Sequence, residues 1–377
     1  AHTPPEGYTD WGSDNYTAPD HQGVDYYKNV LYTGDGEAIG DGGNAVTGVG
    51  FKPDWVFIKN RDGTSTDPFV IYDSVRGVTE QMATSAVEVA ARSETTKAEG
   101  VAVFGNDGFT VGDDDFVNSN TESNISWNWL GSDGGSTTSP AGSLASTSSV
   151  SPAGNFSVVS YTGTGSATTV GHGLGGIPEF IWVKNRDEKD PWKIYHHRVA
   201  SDPETDYMSF VTDGDAKDDA TVWNDTAFTS SVFSIGTNVA VNTNTEKYIA
   251  YCFRSVPGVC RVGSFIGNSS ANGPYLSFGF KPVWFLFRVM NSGETVGSWS
   301  LFDRARDPVN LAAGDEFAHP NVATNTYRSS GSLVGIDWLA DGVKILSSHV
   351  FSNANTVVYM AMADIGGNGA LPPIYGQ

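Results

Sequence analysis

Four aspartates crowd one short stretch of the chain: Asp213, Asp215, Asp218 and Asp219 in DGDAKDD. Several carboxylates on one loop are the donor set that calcium takes. The spacing misses the EF-hand pattern, because Lys217 intrudes and no glycine and distal glutamate follow in register. A solvated acidic loop is the default, and calcium is the one cofactor the residues suggest. GDDDF at Gly112–Phe116 reads the same way. The adjacent histidines of Tyr195–Arg198 (YHHR) would point to opposite faces of a strand, so they do not converge on a metal. Asp73 and Arg76 sit three apart, and Asp303 and Arg306 repeat the spacing. Arg presents a planar fork that suits an internal ion pair holding a turn, and that structural role is the expectation for both pairs.

Other chemistry is thin. The glycine-rich GTGSATTVGHGLGG at Gly163–Gly176 lacks the Gly-Lys-Ser/Thr of a phosphate cradle and has no helix pattern after it. No Gly-x-Ser-x-Gly elbow occurs, and no two carboxylates stand out as an acid/base couple. The expectation is a non-enzymatic chain with no catalytic residues. Trp11, Trp223 and Trp338 lie in polar stretches, where they could stack on sugars or on a partner protein; core packing is the plainer reading of each. Cys252 and Cys260 bracket FRSVPGV, whose Pro257-Gly258 turn could bring them across a tight reversal. A disulfide is geometrically feasible there; two reduced, buried thiols are the alternative.

The elements that must position these residues are written three times. GFKPDWVFIKNRD (Gly50–Asp62) returns as GGIPEFIWVKNRD (Gly175–Asp187) and GFKPVWFLFRVMN (Gly279–Asn291). Each copy has a strand-like leader: VLYTGDG from Val30, VVSYTGTG from Val158, VGSFIGNSS from Val262. Each is followed by an aromatic stretch: PFVIYDSVRG from Pro68, PWKIYHHRVA from Pro191, SWSLFDRARD from Ser298. Each closes on a tail strand, ISWNWL (Ile125–Leu130), YIAYCF (Tyr248–Phe253) or VVYMAM (Val357–Met362). Runs of β-branched and aromatic residues fit strands with a buried face, and aromatics two apart share one face. The NSNT and NTNT groups before the tails read as turns, where Asn tolerates left-handed backbone.

The fold class expected is therefore all-β: three tandem antiparallel β-sandwich-like modules, each with its own core, or packed about a pseudo-threefold axis. The best helix candidate is Thr79–Arg92. The organisation expected is an N-terminal arm at 1–29, modules at 30–130, 156–258 and 259–366, and a tail at 367–377. Between the first two modules, residues 131–155 are nearly all Gly, Ser, Thr, Pro and Ala, and read as a flexible tether. Modules two and three run together without one and should dock closely. The third copy keeps Asp303 and Arg306 but loses the Asn-Arg-Asp ending, which reads as drift at surface that the frame does not need.

Composition agrees with strands and turns. Glycine supplies 44 of 377 residues, and 39% are hydrophobic, enough for packed cores. With 22 Lys+Arg against 43 Asp+Glu, the formal net charge of −21 argues against nucleic-acid partners. No apolar run is long enough for a membrane helix, so membrane insertion is not expected. The opening AHTPPEGYTDWGSDNY has neither a charged nor an apolar segment of the signal-peptide kind.

GFKPDWVFIKNRD with YDSVRGVT and GFTVG resembles a repeat of structural proteins of tailed, often marine, phages. The second copy, with His172–Gly175, resembles the companion motif of that family, and RVGSFIGNSS with SLFDRARDP its closing module. The likeness spans roughly Val30 to Asp364. It implies a virion-surface protein, a tail fibre, tail-associated or capsid-surface component, made in the host cytoplasm. It would assemble with itself and with other virion proteins, and could meet cell-surface glycans. Decoration of a capsid or tube without receptor binding is one alternative; a secreted lectin or glycan-active enzyme is another. The resemblance carries no catalytic residues.

Overall fold

The computed structural model describes residues 25–62, 67–84, 93–132, 135–139, 141–210, 216–290, 299–310, 315–321, 327–328, 335–348, 353 and 355–363. Its frame is built from corresponding strands, four per copy. The first copy supplies β1 (Tyr27–Thr33), β2 (Trp55–Asn60), β3 (Val70–Asp73) and β4 (Ser123–Trp129). The second supplies β5 (Phe156–Thr162), β6 (Phe180–Asn185), β7 (Lys193–His196) and β8 (Lys247–Phe253). The third supplies β9 (Cys260–Ile266), β10 (Pro282–Val289), β11 (Ser300–Asp303) and β12 (Thr356–Ala363).

Each set pairs in one order: leader, tail, opening strand, aromatic strand. The sheets therefore contain β1-β4-β2-β3, β5-β8-β6-β7 and β9-β12-β10-β11, all antiparallel, with two further strands on each. Register repeats as well. Trp55 faces Trp129, Phe180 faces Phe253 and Trp284 faces Met362. One step along, Phe57 faces Trp127, Trp182 faces Tyr251 and Leu286 faces Met360.

Side chains alternate across a strand, so these pairs lie on one face of each sheet. All twelve residues belong to a single buried cluster. The three large sheets thus turn the same face toward one shared core. Rings meet across every seam: Trp55 and Tyr251 at 4.8 Å, Trp129 and Trp284 at 5.7 Å, Phe180 and Trp299 at 5.7 Å between centroids. The opposite faces are also buried, each under a small sheet and around its own cluster. Gly108–Val111 pairs with Asn44–Thr47 and Val101–Gly105 over copy one; Thr168–Gly171 pairs with Val232–Ile235 over copy two; Gly342–Ile345 pairs with Tyr275–Ser277 and Ile336–Trp338 over copy three. Burial on both faces explains why β2, β6 and β10 read as apolar runs rather than strict alternation.

The chain is all-β, with α-helix confined to single turns among the described residues. Three expectations are corrected. Thr79–Ala83 is part of the strand Gly77–Ala83, where Met82 and Ala83 pack inward; residues 85–92 lie outside the described residues. The expected tether carries strands: Ser146–Val150 pairs with β5 and in turn with Thr137–Ser139, extending the second sheet. Its serines succeed there by hydrogen bonding, with Ser149 Oγ donating to Asp54 Oδ1 at 2.8 Å and accepting from Ser132 N at 2.7 Å. Lastly, β1 starts within the expected arm, and Tyr27 is buried against Trp129 at 4.7 Å. Residues 1–24 and the C-terminal tail lie outside the described residues.

Candidate functional site

The repeated polar residues are spent on joining strands. Asp73 Oδ1 accepts from Val75 N and Arg76 N, while Arg76 Nε binds its Oδ2. Asp303 does the same with Ala305 N, Arg306 N and Arg306 Nε. Both ion pairs are fully buried. In copy two the carboxylate is replaced by His196 and the arginine position by Val199. The turn survives because His196 Nδ1 accepts from Arg198 N at 3.1 Å. That bond fixes the tautomer: Nε2 carries the proton and points to Tyr359 O, 3.3 Å away. Burial pushes this histidine down to about 3, with His197 adding to the effect.

These residues also close the ring of sheets. Tyr251 donates to Asp73 Oδ2 at 2.6 Å, joining copy two to copy one. Trp127 Nε1 donates to Asp303 Oδ2 at 3.3 Å, joining copy one to copy three. His196 and Tyr359 O complete the circuit.

The arginine of Lys-Asn-Arg-Asp has the same use. Arg186 reaches Glu94 of copy one through Nε at 2.9 Å and Nη2 at 2.6 Å, and Arg76 Nη1 shares that carboxylate at 3.0 Å. Arg61 reaches Glu316 of copy three at 2.8 Å. The third equivalent is Met290, 2% exposed in the shared core. The altered ending of copy three is therefore an apolar seam, which corrects its reading as dispensable surface. The lysines of the motif are pinned by carbonyls. Lys59 Nζ donates to Asp67 O, and Lys184 Nζ to Asn185 O and Glu188 O. Burial pushes both down to about 8.

The other candidates are also structural where they are described. Trp223 is buried in the turn Ala220–Trp223, its Nε1 donating to Asp206 O at 3.1 Å, and Trp338 is buried in a covering strand. Neither offers a face for stacking, because each is needed to fill the space beneath its small sheet. Trp11, Asp213 and Asp215 lie outside the described residues. Asp218 is exposed; Asp219 caps the Ala220 turn, accepting from Thr221 N at 2.9 Å. No three His, Cys, Asp or Glu converge on a metal position among the described residues. Cys252 and Cys260 are both free and buried. Cys252 points into the second copy's own cluster and Cys260 into the shared core, so the feasible disulfide is not formed. Burial pushes both thiols well up.

A cavity of about 420 Å³ opens where copies two and three meet. Glu179, just before β6, and His197 and Arg198, just after β7, form one wall. Arg261 and Gly263 of the edge strand β9 and Tyr359 of β12 form the other. Gly263 faces Tyr359 across the ladder, and a Cβ there would lie 2.6 Å from the Tyr359 hydroxyl. Burial raises the pKa of that hydroxyl, and the nearby Arg261 guanidinium pulls against it. Glu179 Oε2 accepts from Ser255 N at 2.7 Å, leaving Oε1 3.9 Å from His197 Nδ1. His197 Nε2 is buried, and the Val262 backbone lies near the ring. Burial holds His197 below its usual range, against the pull of Glu179. Sequence reasoning missed this site because its residues come from four separate segments, with no motif spacing between them.

The described residues thus form an all-β frame of three repeated sheets whose recurring polar groups serve its own seams, with a polar cavity where copies two and three meet. Residues 22–365 match the family described as a domain of unknown function, DUF7483, and the chain belongs to that family. None of the curated proteins matches it.

Proposed function

We propose that the chain is a non-enzymatic component of a virion surface, a tail-associated, tail-fibre or capsid-surface protein of a tailed phage that assembles with copies of itself and other virion proteins. One observation carries the structural part of this reading. The groups that recur between copies, Asp73 and Asp303 with His196 at the matching place in copy two, and Arg61 and Arg186 of copies one and two, serve joints between sheets. A fold that spends its recurring polar residues this way is suited to a rigid, repetitive scaffold. The phage assignment is supported by the resemblance of all three repeats in their order.

Within that reading the flank cavity favours attachment to a ligand over plain lattice decoration. Binding groups characteristically sit at the edges and loops of a rigid frame. The deciding experiment is localisation: gold-labelled antibody against this chain on purified particles, with cryo-electron microscopy of the labelled feature. Regular labelling of a tail or shell feature is expected. Particles free of the chain would overturn the proposal.

A further inference from the structure

We infer that the cavity between copies two and three is a binding site for a carboxylate-bearing sugar. This goes beyond the scaffold role and holds whether or not the chain sits on a particle.

The volume of about 420 Å³ lies within the roughly 300–1,000 Å³ of small-molecule sites. That is ample room for a monosaccharide and far more than one sulfate or phosphate fills. Arg198 and Arg261 are exposed at its walls and supply planar, permanently charged donors, the chemistry that grips a carboxylate in two places. They stand out in a chain of net charge −21, which repels anions at a distance. Recognition must then come from contact inside the cavity rather than from the field around it.

The remaining groups suit hydroxyls. Glu179 offers an acceptor beside the arginines, which disfavours a bare multiply charged anion but pairs with a sugar hydroxyl. The Tyr359 hydroxyl lies over Gly263, where any side chain would displace it. His197 adds a ring on the cavity wall, its Nδ1 3.9 Å from Glu179 Oε1.

The test is titration of the full chain at neutral pH with glucuronate, galacturonate and N-acetylneuraminate, followed by ligand-observed NMR and calorimetry. Glucose serves as the neutral probe and sodium sulfate as the inorganic one. Saturable binding of at least one acidic sugar is expected, with glucose weaker by about tenfold or more, the worth of a charge-assisted contact. Arg198→Gln and Arg261→Gln should each weaken binding by a similar factor of about ten. Both side chains are exposed, so thermal melts should show the folded state kept. Gly263→Ala should weaken binding without changing any charge, and Lys52→Gln on copy one should leave it unchanged. Failure of all three acidic sugars overturns the inference. So does glucose binding equally well, sulfate matching the acidic sugars, or wild-type affinity in both arginine variants.

Discussion

At the scale of single residues, the chain shows how one turn is built with two chemistries. Asp73 and Asp303 accept two backbone N–H groups and keep a buried arginine three residues on. His196 accepts one through an unprotonated ring nitrogen, and its copy has Val199 where the arginine would be. The carboxylate and the arginine are exchanged together, as expected if neither charge can stay buried without the other. Arg76→Met should accordingly cost about 3–5 kcal/mol, read from urea unfolding, because Asp73 is left as an uncompensated buried charge. The histidine makes a different demand. Its folded pKa of about 3 lies below the ordinary 6.5, so the unfolded chain takes up the proton first as pH falls. His172 behaves alike: Nδ1 accepts from Leu174 N, and burial pushes it down to about 4. Their contribution to stability is full above about pH 6.5 and is lost as pH drops toward those values, at about 1.4 kcal/mol per pH unit for each. His196→Asn preserves an acceptor in the turn. It should remove one histidine's share of that acid slope, measured by denaturant unfolding between pH 7 and 5.

At the scale of elements, the turns before the tail strands carry strain as well as order. Asn118, Asn242 and Asn353 are each fully buried and stitch the tail to the leader loop of the same copy. Asn242 Oδ1 accepts from Thr164 N at 2.8 Å, and Nδ2 donates to Ser166 O at 2.7 Å and Gly236 O at 2.6 Å. The leader must come close for this: a Cβ on Gly163 would lie 2.2 Å from Thr243 O. The left-handed residue that follows falls on Thr121 at φ 67° and Thr245 at φ 71°, and on asparagine, Asn355, in copy three. The sequence pattern suggests asparagine for that conformation throughout, but the tail register places β-branched threonine there twice. Left-handed backbone costs an L-residue about 1–2 kcal/mol, and Asn tolerates it better. Thr245→Asn should therefore raise unfolding stability by about 1 kcal/mol, visible as a higher melting temperature with the fold unchanged.

At the scale of the molecule, the three repeats are not three independent cores strung together. Trp55 alone packs against Trp129 of its own copy and against Phe156, Trp182, Tyr251 and Phe253 of the next. Trp55→Ala should cost about 3–5 kcal/mol, typical of deleting a large aromatic from a core. Fluorescence and circular dichroism should still report one shared transition, since loosening the common core loosens every sheet. Separate transitions for the copies would contradict that coupling. The sequence by itself determined the frame strands of each copy, because β-branched and aromatic runs are local properties. It also determined that the strands come in three equivalent sets, because GFKPDWVFIKNRD and its relatives can be aligned letter by letter. Only the tertiary structure decided that the sets face one another, that the serine-rich 131–155 segment adds strands, and that Met290 seals a seam where Arg61 and Arg186 make ion pairs. It alone assembled Glu179, His197, Arg261 and Tyr359 around one cavity. The reason is physical: a strand's pattern records that a face is buried but not what buries it. Contacts between residues a hundred or more positions apart leave no spacing in the chain to read.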